Sequence, residues 1–106
     1  MPRALITLPA SARRGEVIEI RTLIAHPMET GYRAGAQGER LPRDIVTRFS
    51  CRYDGEEVFA AELFPAIAAN PLIVFCTVAT ASGPLSLRWE GDNGFVQTET
   101  VTLSVT

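Results

Sequence analysis

An all-β sandwich is the fold class that this sequence predicts, and three observations support the prediction. Apolar and polar residues alternate over several segments, which is the period of a half-buried strand. Turn-forming residues separate these segments about every 8–12 residues, as in small β-sandwiches. The chain has 106 residues, the length of one domain. We therefore predict a single immunoglobulin-like domain over residues 1–106, with two sheets of about seven strands in total and one long polar insert.

The individual strands follow from the alternation. In residues 85–90, both leucines and Trp89 share one face, and Ser, Arg and Glu share the other. The same alternation predicts further strands over residues 16–24, 45–53 and 100–106. Residues 72–78 predict a strand that is apolar on both faces. Asp54-Gly55 and residues 91–94 predict hairpin turns, and residues 10–15 and 81–84 predict further turns.

The alanine-rich segment 56–70 allows two interpretations. Its propensity favours a helix, and Asp54 and Glu57 have the spacing of a capping box. Pro65 would break such a helix near its middle, and the Asp54-Gly55 turn competes for the same residues. We therefore expect a strand over residues 57–63 and an irregular or one-turn helical crossover over residues 64–70.

Composition argues against several classes of function. The net charge is −2 with both signs mixed along the chain, so no nucleic-acid partner is expected. No segment approaches the roughly 18 apolar residues of a membrane span. The first seven residues lack the apolar run of a secretory signal, which predicts a cytoplasmic protein unless the chain is exported attached to another. The glycines at 31, 35 and 38 do not have the spacing of a phosphate-binding loop.

The two cysteines allow one disulfide at most, and a sequence cannot show whether their Cβ atoms approach. Cys51 shares a strand face with Phe49 and Tyr53, which favours burial as a small hydrophobic residue. The direction of Cys76 is ambiguous because its strand is apolar on both faces. No CxxC pair or nearby histidine accompanies either, so no zinc motif is present. We expect two free, inert thiols.

The polar insert, residues 26–44, is the main candidate for function, because ordering so long a connection costs backbone entropy and buries little. His26 and Met28 could supply imidazole and thioether ligands to copper. Alternatively, His26 donates to a loop carbonyl while Met28 packs beneath the insert, or the pair belongs to a protein interface. As the sole histidine, His26 is also the only side chain able to act as a base near neutral pH, and no nucleophile is visibly paired with it.

Charged residues of the insert and one distant dipeptide complete the candidates. Arg33, Arg40 and Arg43 could bind an anion or a carboxylate-bearing partner, or could simply solubilise the rim of the insert. Asn70-Pro71 predicts a turn that leads into the next strand, and is a contact site only by position.

Several segments together resemble one known family. The specific ones are His26-Pro27-Met28-Glu29-Thr30-Gly31 and the Pro42-Arg43-Asp44-Ile45 segment that follows. Weaker matches are residues 8–16, 24–25, 36–38, 41, 49–51 and 68–71, with Trp89, Asp92 and Gly94. In these segments the chain resembles SoxZ, the smaller subunit of the SoxYZ sulfur carrier of bacterial thiosulfate oxidation. The resemblance extends over almost the whole chain.

The resemblance implies an immunoglobulin-like sandwich paired with a SoxY-like subunit. In that family the sulfur intermediates are attached to a cysteine on a glycine-rich arm of SoxY, whereas this chain has no Cys after 76 and no Gly after 94. It is therefore expected to be the non-catalytic subunit, without a cofactor, that docks transiently with Sox enzymes. It is also expected in the periplasm, exported with a signal-bearing partner. The candidate partner-interface residues are His26, Pro27, Met28, Glu29, Arg33, Arg40, Arg43, Asn70 and Pro71. The alternative function is a periplasmic copper-binding sandwich that uses His26 and Met28, and an enzyme in its own right is the least favoured.

Overall fold

Two antiparallel sheets face each other in the computed structural model, which describes residues 4–106. The strands are β1 (Ala4–Thr7), β2 (Val17–Ile24), β3 (Val46–Tyr53), β4 (Glu56–Glu62), β5 (Leu72–Val78), β6 (Gly83–Gly91) and β7 (Val96–Leu103). The three-stranded sheet has the order β1-β2-β5, and the four-stranded sheet has the order β4-β3-β6-β7. The predicted all-β sandwich is confirmed. The predicted domain start at residue 1 lies outside the described residues.

The core lies between the sheets and is built by the alternation that the sequence shows. On β2, residues at every second position, among them Ile18 and Ile20, are buried, while their neighbours are exposed. Phe49 of β3 packs against Trp89 of β6 and against Phe75 of β5, at ring-centroid distances of 5.1 and 5.8 Å. The Phe49–Phe75 contact joins the two sheets, whereas the Phe49–Trp89 contact lies within the four-stranded sheet. Burying each such side chain contributes about 1.5–3 kcal/mol.

The strand boundaries show where the sequence pattern was incomplete. The strand expected over 57–63 is present as β4, and the crossover after it is irregular. The one helix among residues 4–106 is a single 3₁₀ turn, Asp92–Gly94, between β6 and β7. One strand was not predicted, and the bounds of another were wrong. Residues 4–7 form a strand, β1, that the pattern had not identified. The closing strand begins at Val96 and ends at Leu103, because its partner β6 begins at Gly83, which pairs with Leu103.

The loops at one end of the sandwich carry most of the candidate residues. Residues 25–45 connect β2 to β3 and therefore cross from one sheet to the other. The crossover 63–71 and the turn 92–95 lie at the same end, which we call the insert end. The molecule measures 58 × 22 × 21 Å, and strands of eight residues span about 27 Å, so they fit only along the long axis. No helix among residues 4–106 is long and apolar enough to cross a membrane.

Candidate functional site at the insert end

The structure brings together two segments that are 44 residues apart in sequence. The backbone N–H of His26 donates to Asn70 Oδ1 at 2.9 Å, and the N–H of Asn70 donates to the carbonyl of His26 at 2.7 Å. Asn70 adopts a left-handed backbone with φ 52°, a conformation that asparagine tolerates better than most residues. The neighbouring Pro71 is buried, and its carbonyl accepts the N–H of Ile24 at 3.3 Å. The predicted Asn70-Pro71 turn therefore holds the start of the insert.

The side chain of His26 connects several parts of the insert end. It is only 4% exposed, and its Nδ1 accepts the backbone N–H of Met28 at 3.0 Å. A neutral ring in this arrangement carries its proton on Nε2, which lies 3.6 Å from Asp44 Oδ1. The ring also meets Phe95 edge-on at a centroid distance of 4.8 Å. At Nδ1 the ring therefore accepts a hydrogen bond, from the N–H of Met28, and does not donate one.

Met28 is a buried anchor of the insert. It is 4% exposed, belongs to the hydrophobic core and adopts φ 52°. Its Sδ accepts the backbone N–H of Val46, the first residue of β3, at 3.2 Å. Two of the atoms that the copper hypothesis could use, His26 Nδ1 and Met28 Sδ, are therefore already engaged by backbone donors. Residues 4–106 contain no group of three or more His, Cys, Asp or Glu side chains that could hold a metal ion.

The insert is an ordered hairpin rather than a loose loop. Glu29 and Asp44 exchange backbone hydrogen bonds of 2.8 and 2.7 Å, which closes its base. Farther out, the N–H of Leu41 donates to the carbonyl of Arg33 at 2.9 Å. The Arg33 guanidinium pairs with Glu29 at 2.7 Å, and this hydrogen bond lowers the pKa of the Glu29 carboxyl. Ladder bonds and an ion pair thus replace the structureless connection that the sequence suggested.

A second ion pair attaches the insert to the turn between β6 and β7. The guanidinium of Arg43 makes two hydrogen bonds to the Asp92 carboxylate, of 2.8 and 2.9 Å. Asp92 Oδ2 also accepts the N–H of Ile45 at 3.2 Å. The bond from Arg43 holds the pKa of Asp92 below its ordinary value. The sequence analysis had identified Asp92 as a turn residue and as a weak family match, but not as the partner of an arginine of the insert. The available signal was a carboxylate in a Gly-Asp-Asn-Gly turn of a chain whose insert is rich in arginine.

The candidate residues divide by exposure into two groups. His26, Met28 and Pro71 are buried and support the surface from beneath. Exposed side chains offer the surface itself, namely Pro27, Arg33, Arg40, Arg43 and Asn70, with Glu29 half-buried between them. Arg33 and Arg43 are each paired with a carboxylate of this chain, whereas Arg40 makes no ion pair within the described part of the chain. The arrangement suits recognition of a partner surface, because it offers fixed polar groups over a rigid base.

The fold and this site define a small immunoglobulin-like β-sandwich whose longest insert is tied into one fixed polar surface. No curated protein matches the full sequence. A family model described as "Sulphur oxidation protein SoxZ" matches residues 6–102. The chain belongs to the SoxZ family and is a component of the Sox sulfur-oxidation system.

Solved structures with the same fold include two informative cases. The sulfur carrier protein SoxY from Chlorobium limicola f thiosulfatophilum aligns with a TM-score of 0.70 and 13% identity, over 100% of this chain and 81% of that one. A superoxide reductase (neelaredoxin) from Ignicoccus hospitalis aligns with a TM-score of 0.75 and 14% identity, over 99% of this chain and 81% of that one. At these identities the likeness concerns the fold alone.

Proposed function

We propose that this chain is the non-catalytic subunit of a sulfur-carrier heterodimer. It supports a SoxY-like partner whose own cysteine carries the sulfur intermediates, and it helps to present them to the enzymes of thiosulfate oxidation. Membership of the SoxZ family and the shared fold of a sulfur carrier protein, SoxY, support a partner of this type.

The observation that carries the proposal is the state of the two thiols. Cys51 is fully buried, and this burial raises its pKa to about 11. At neutral pH about one molecule in ten thousand would hold the reactive thiolate. Cys76 is exposed but lies within β5, where its residue is paired with Glu19 of β2. A thiol fixed in a paired strand cannot travel between several enzymes, so the travelling thiol belongs to another chain.

The insert end supplies the complementary property, which is rigidity. Its base is closed by backbone bonds between Glu29 and Asp44, and its flank is attached by the Arg43–Asp92 pair. A mobile sulfur-bearing arm is best presented from a support that does not itself move. We therefore place a contact with the partner or with the Sox enzymes at or beside the exposed arginines of this end.

The Arg33→Ala/Arg43→Ala double variant tests this placement. We expect about a tenfold loss in one of two quantities: the affinity of this chain for the SoxY-like subunit, or the kcat/KM of the Sox enzymes with the assembled complex as their substrate. The matched control, Arg13→Ala/Arg14→Ala, removes the same charge at the opposite end of the sandwich and should change neither. Thermal unfolding of both variants shows whether the sandwich remains intact. Unchanged affinity and unchanged turnover in the insert variant would remove this end from the mechanism.

Two further measurements address the finer parts of the proposal. Isolated chain should not turn over thiosulfate, whereas turnover without the SoxY-like subunit would indicate an enzyme instead. We also propose that the chain works in the periplasm after export with a signal-bearing partner. In cells that express the partner without its signal peptide, fractionation should then find this chain in the cytoplasm. Its continued presence in the periplasm would contradict co-export.

A further inference from the structure

The outer face of the three-stranded sheet is mostly apolar, and its polar positions are Thr7 and the ion-paired Glu19 and Arg21. The strand registers place Leu5, Leu23 and Leu72 side by side in the row nearest the insert end. The following rows carry Arg21 beside Val74, Glu19 beside Cys76, and Val17 beside Val78. Leu5, Val17 and Leu72 are 58%, 65% and 62% exposed. We call this surface the apolar face; its apolar members are Leu5, Val17, Leu23, Leu72, Val74, Cys76 and Val78.

The other outer face of the same sandwich is polar, so an apolar outer face is not a requirement of the fold. A shallow cleft on the four-stranded sheet is lined by arginine, serine, threonine and glutamate side chains, which are Arg48, Ser50, Arg52, Glu57, Ser86, Arg88, Glu90 and Thr98. An antiparallel sheet with one face in water normally carries polar residues on that face, as this sheet does. The three-stranded sheet departs from this pattern at all but three positions of its outer face.

We infer that the apolar face packs against the SoxY-like subunit, an inference that rests on the proposed function. The three strands, of four, eight and seven residues, together cover roughly 300 Å² in projection. A stable interface takes about 800 Å² from each partner, so the face supplies the apolar centre and its borders supply the remainder. The leucine row borders the insert end directly, because Leu72 follows Pro71 in the chain.

The face also offers a place for an anchoring side chain. A groove of about 200 Å³ lies along the leucine row and is lined by Leu5, Leu23 and Leu72 with Thr7, Arg21 and Thr22. A cavity of about 150 Å³ is enough for a benzene molecule, so this groove accommodates one large apolar or aromatic side chain. Side chains held in such grooves contribute most of the affinity of an interface.

Permanent and transient partners require different surfaces, and this chain has one of each kind. Interfaces between permanent subunits are more apolar than those between proteins that meet briefly. The apolar face fits the permanent subunit, whereas the ion-paired insert end fits enzymes that must bind and release. A partner with the sandwich fold has sheet faces of its own, and two such faces stack about 10 Å apart.

Cys76 serves as a built-in reporter because it is exposed on the apolar face, on the edge strand β5 between Val74 and Val78, while the other thiol, Cys51, is buried. The experiment labels the chain with a maleimide and follows the mass of the intact protein, alone and with a SoxY-like subunit whose carrier cysteine is replaced by serine. We expect labelling of Cys76 to be at least about tenfold slower in the complex, because a partner that covers the face also covers this thiol.

The outcomes separate this inference from the proposed function. A complex that forms while Cys76 reacts at its free rate would refute the inference and leave the proposed function intact. Failure to form any complex would refute both. Protection of Cys76 in the isolated chain would show that a second copy covers the face, which also refutes the inference.

A charge placed on the face gives a second, independent test. Val74 is 42% exposed and is paired with Arg21, so Val74→Glu places an opposite charge beside the arginine and should leave the melting temperature unchanged. It should weaken binding to the SoxY-like subunit at least thirtyfold, by the ~2 kcal/mol typical of a hot spot. The control Thr100→Glu places the same group on an exposed position of β7, on the other sheet, and should bind as the wild type does. Wild-type affinity in the Val74 variant would overturn the inference.

Discussion

Replacing Met28 with alanine should destabilise the whole sandwich. Met28 is 4% exposed and packs in the core, so truncation removes buried methylenes and leaves a cavity beneath the insert. It also removes the sulfur that accepts the buried N–H of Val46. Core Met→Ala changes cost about 2–5 kcal/mol, and we expect about 3 kcal/mol here. For a domain of this size that corresponds to a fall of about 12–24 °C in melting temperature.

The measurement is urea or thermal unfolding of the purified chain, with Met28→Leu as the matched control. Leucine nearly conserves the volume of Met28, so the control should lose less than about 1.5 kcal/mol, and its loss reports the missing sulfur acceptor. A loss below about 1 kcal/mol in the alanine variant would refute the reasoning. Met28 would then lie on a loosely attached loop, and its apparent burial would contribute little to folding.

Three further outcomes are expected. The lowered pKa of Asp92 stabilises the fold at pH values above the ordinary pKa of 3.8, and this stability is lost as the pH falls through the lower pKa of the folded state. Asp92→Asn should therefore reduce the dependence of the unfolding free energy on pH in the acid range. Titration with Cu(I), followed by mass spectrometry, should show no stoichiometric metal, because His26 Nδ1 and Met28 Sδ accept backbone N–H groups; one tightly bound copper would contradict this. Gly91→Ala should cost about 1–3 kcal/mol in chemical unfolding, because the added Cβ would meet the carbonyl of Ile45; a neutral effect would show that the strands can separate there.

Much of the fold was predictable because strand alternation is a local property. β2 and β6 bury every second side chain, as β3 does from Phe49 to Tyr53, and the boundaries of all three fall within a residue or two of the predicted ones. β1 was missed because four residues are too few to establish a period. The end of β7 was misplaced because alternation continues to Val105, whereas pairing with β6 stops where β6 begins and Val105 makes only an isolated bridge to Ala12. The extent of pairing depends on the length of the partner strand, which the alternation within β7 does not report.

The site was only partly predictable, for a similar reason. The sequence identified the arginines of the insert as candidates for ion pairing, but their partners differ in kind. Arg33 pairs with Glu29 four residues away, a local contact, whereas Arg43 pairs with Asp92 across 49 residues. The apolar face was signalled by residues 72–78, which are apolar on both sides of the strand. That signal did not indicate which side of β5 faces the core, because the orientation of the strand is fixed only by the packing of Phe75 against Phe49 of the other sheet.

Backbone conformation at the insert end supports a fixed surface rather than a mobile one. Met28, Asn70 and Asn93 all have positive φ, at 52°, 52° and 59°. The left-handed backbone conformation destabilises an L-residue by about 1 kcal/mol. The short polar side chain of asparagine reduces this destabilisation, and methionine has no such side chain. A loop free to rearrange would leave such a conformation at Met28. It persists because burial of the side chain and the bonds to His26 and Val46 stabilise it by more than the backbone loses. The insert end is therefore held by its own core contacts before any partner arrives, which is the property that a support for another subunit's moving arm requires.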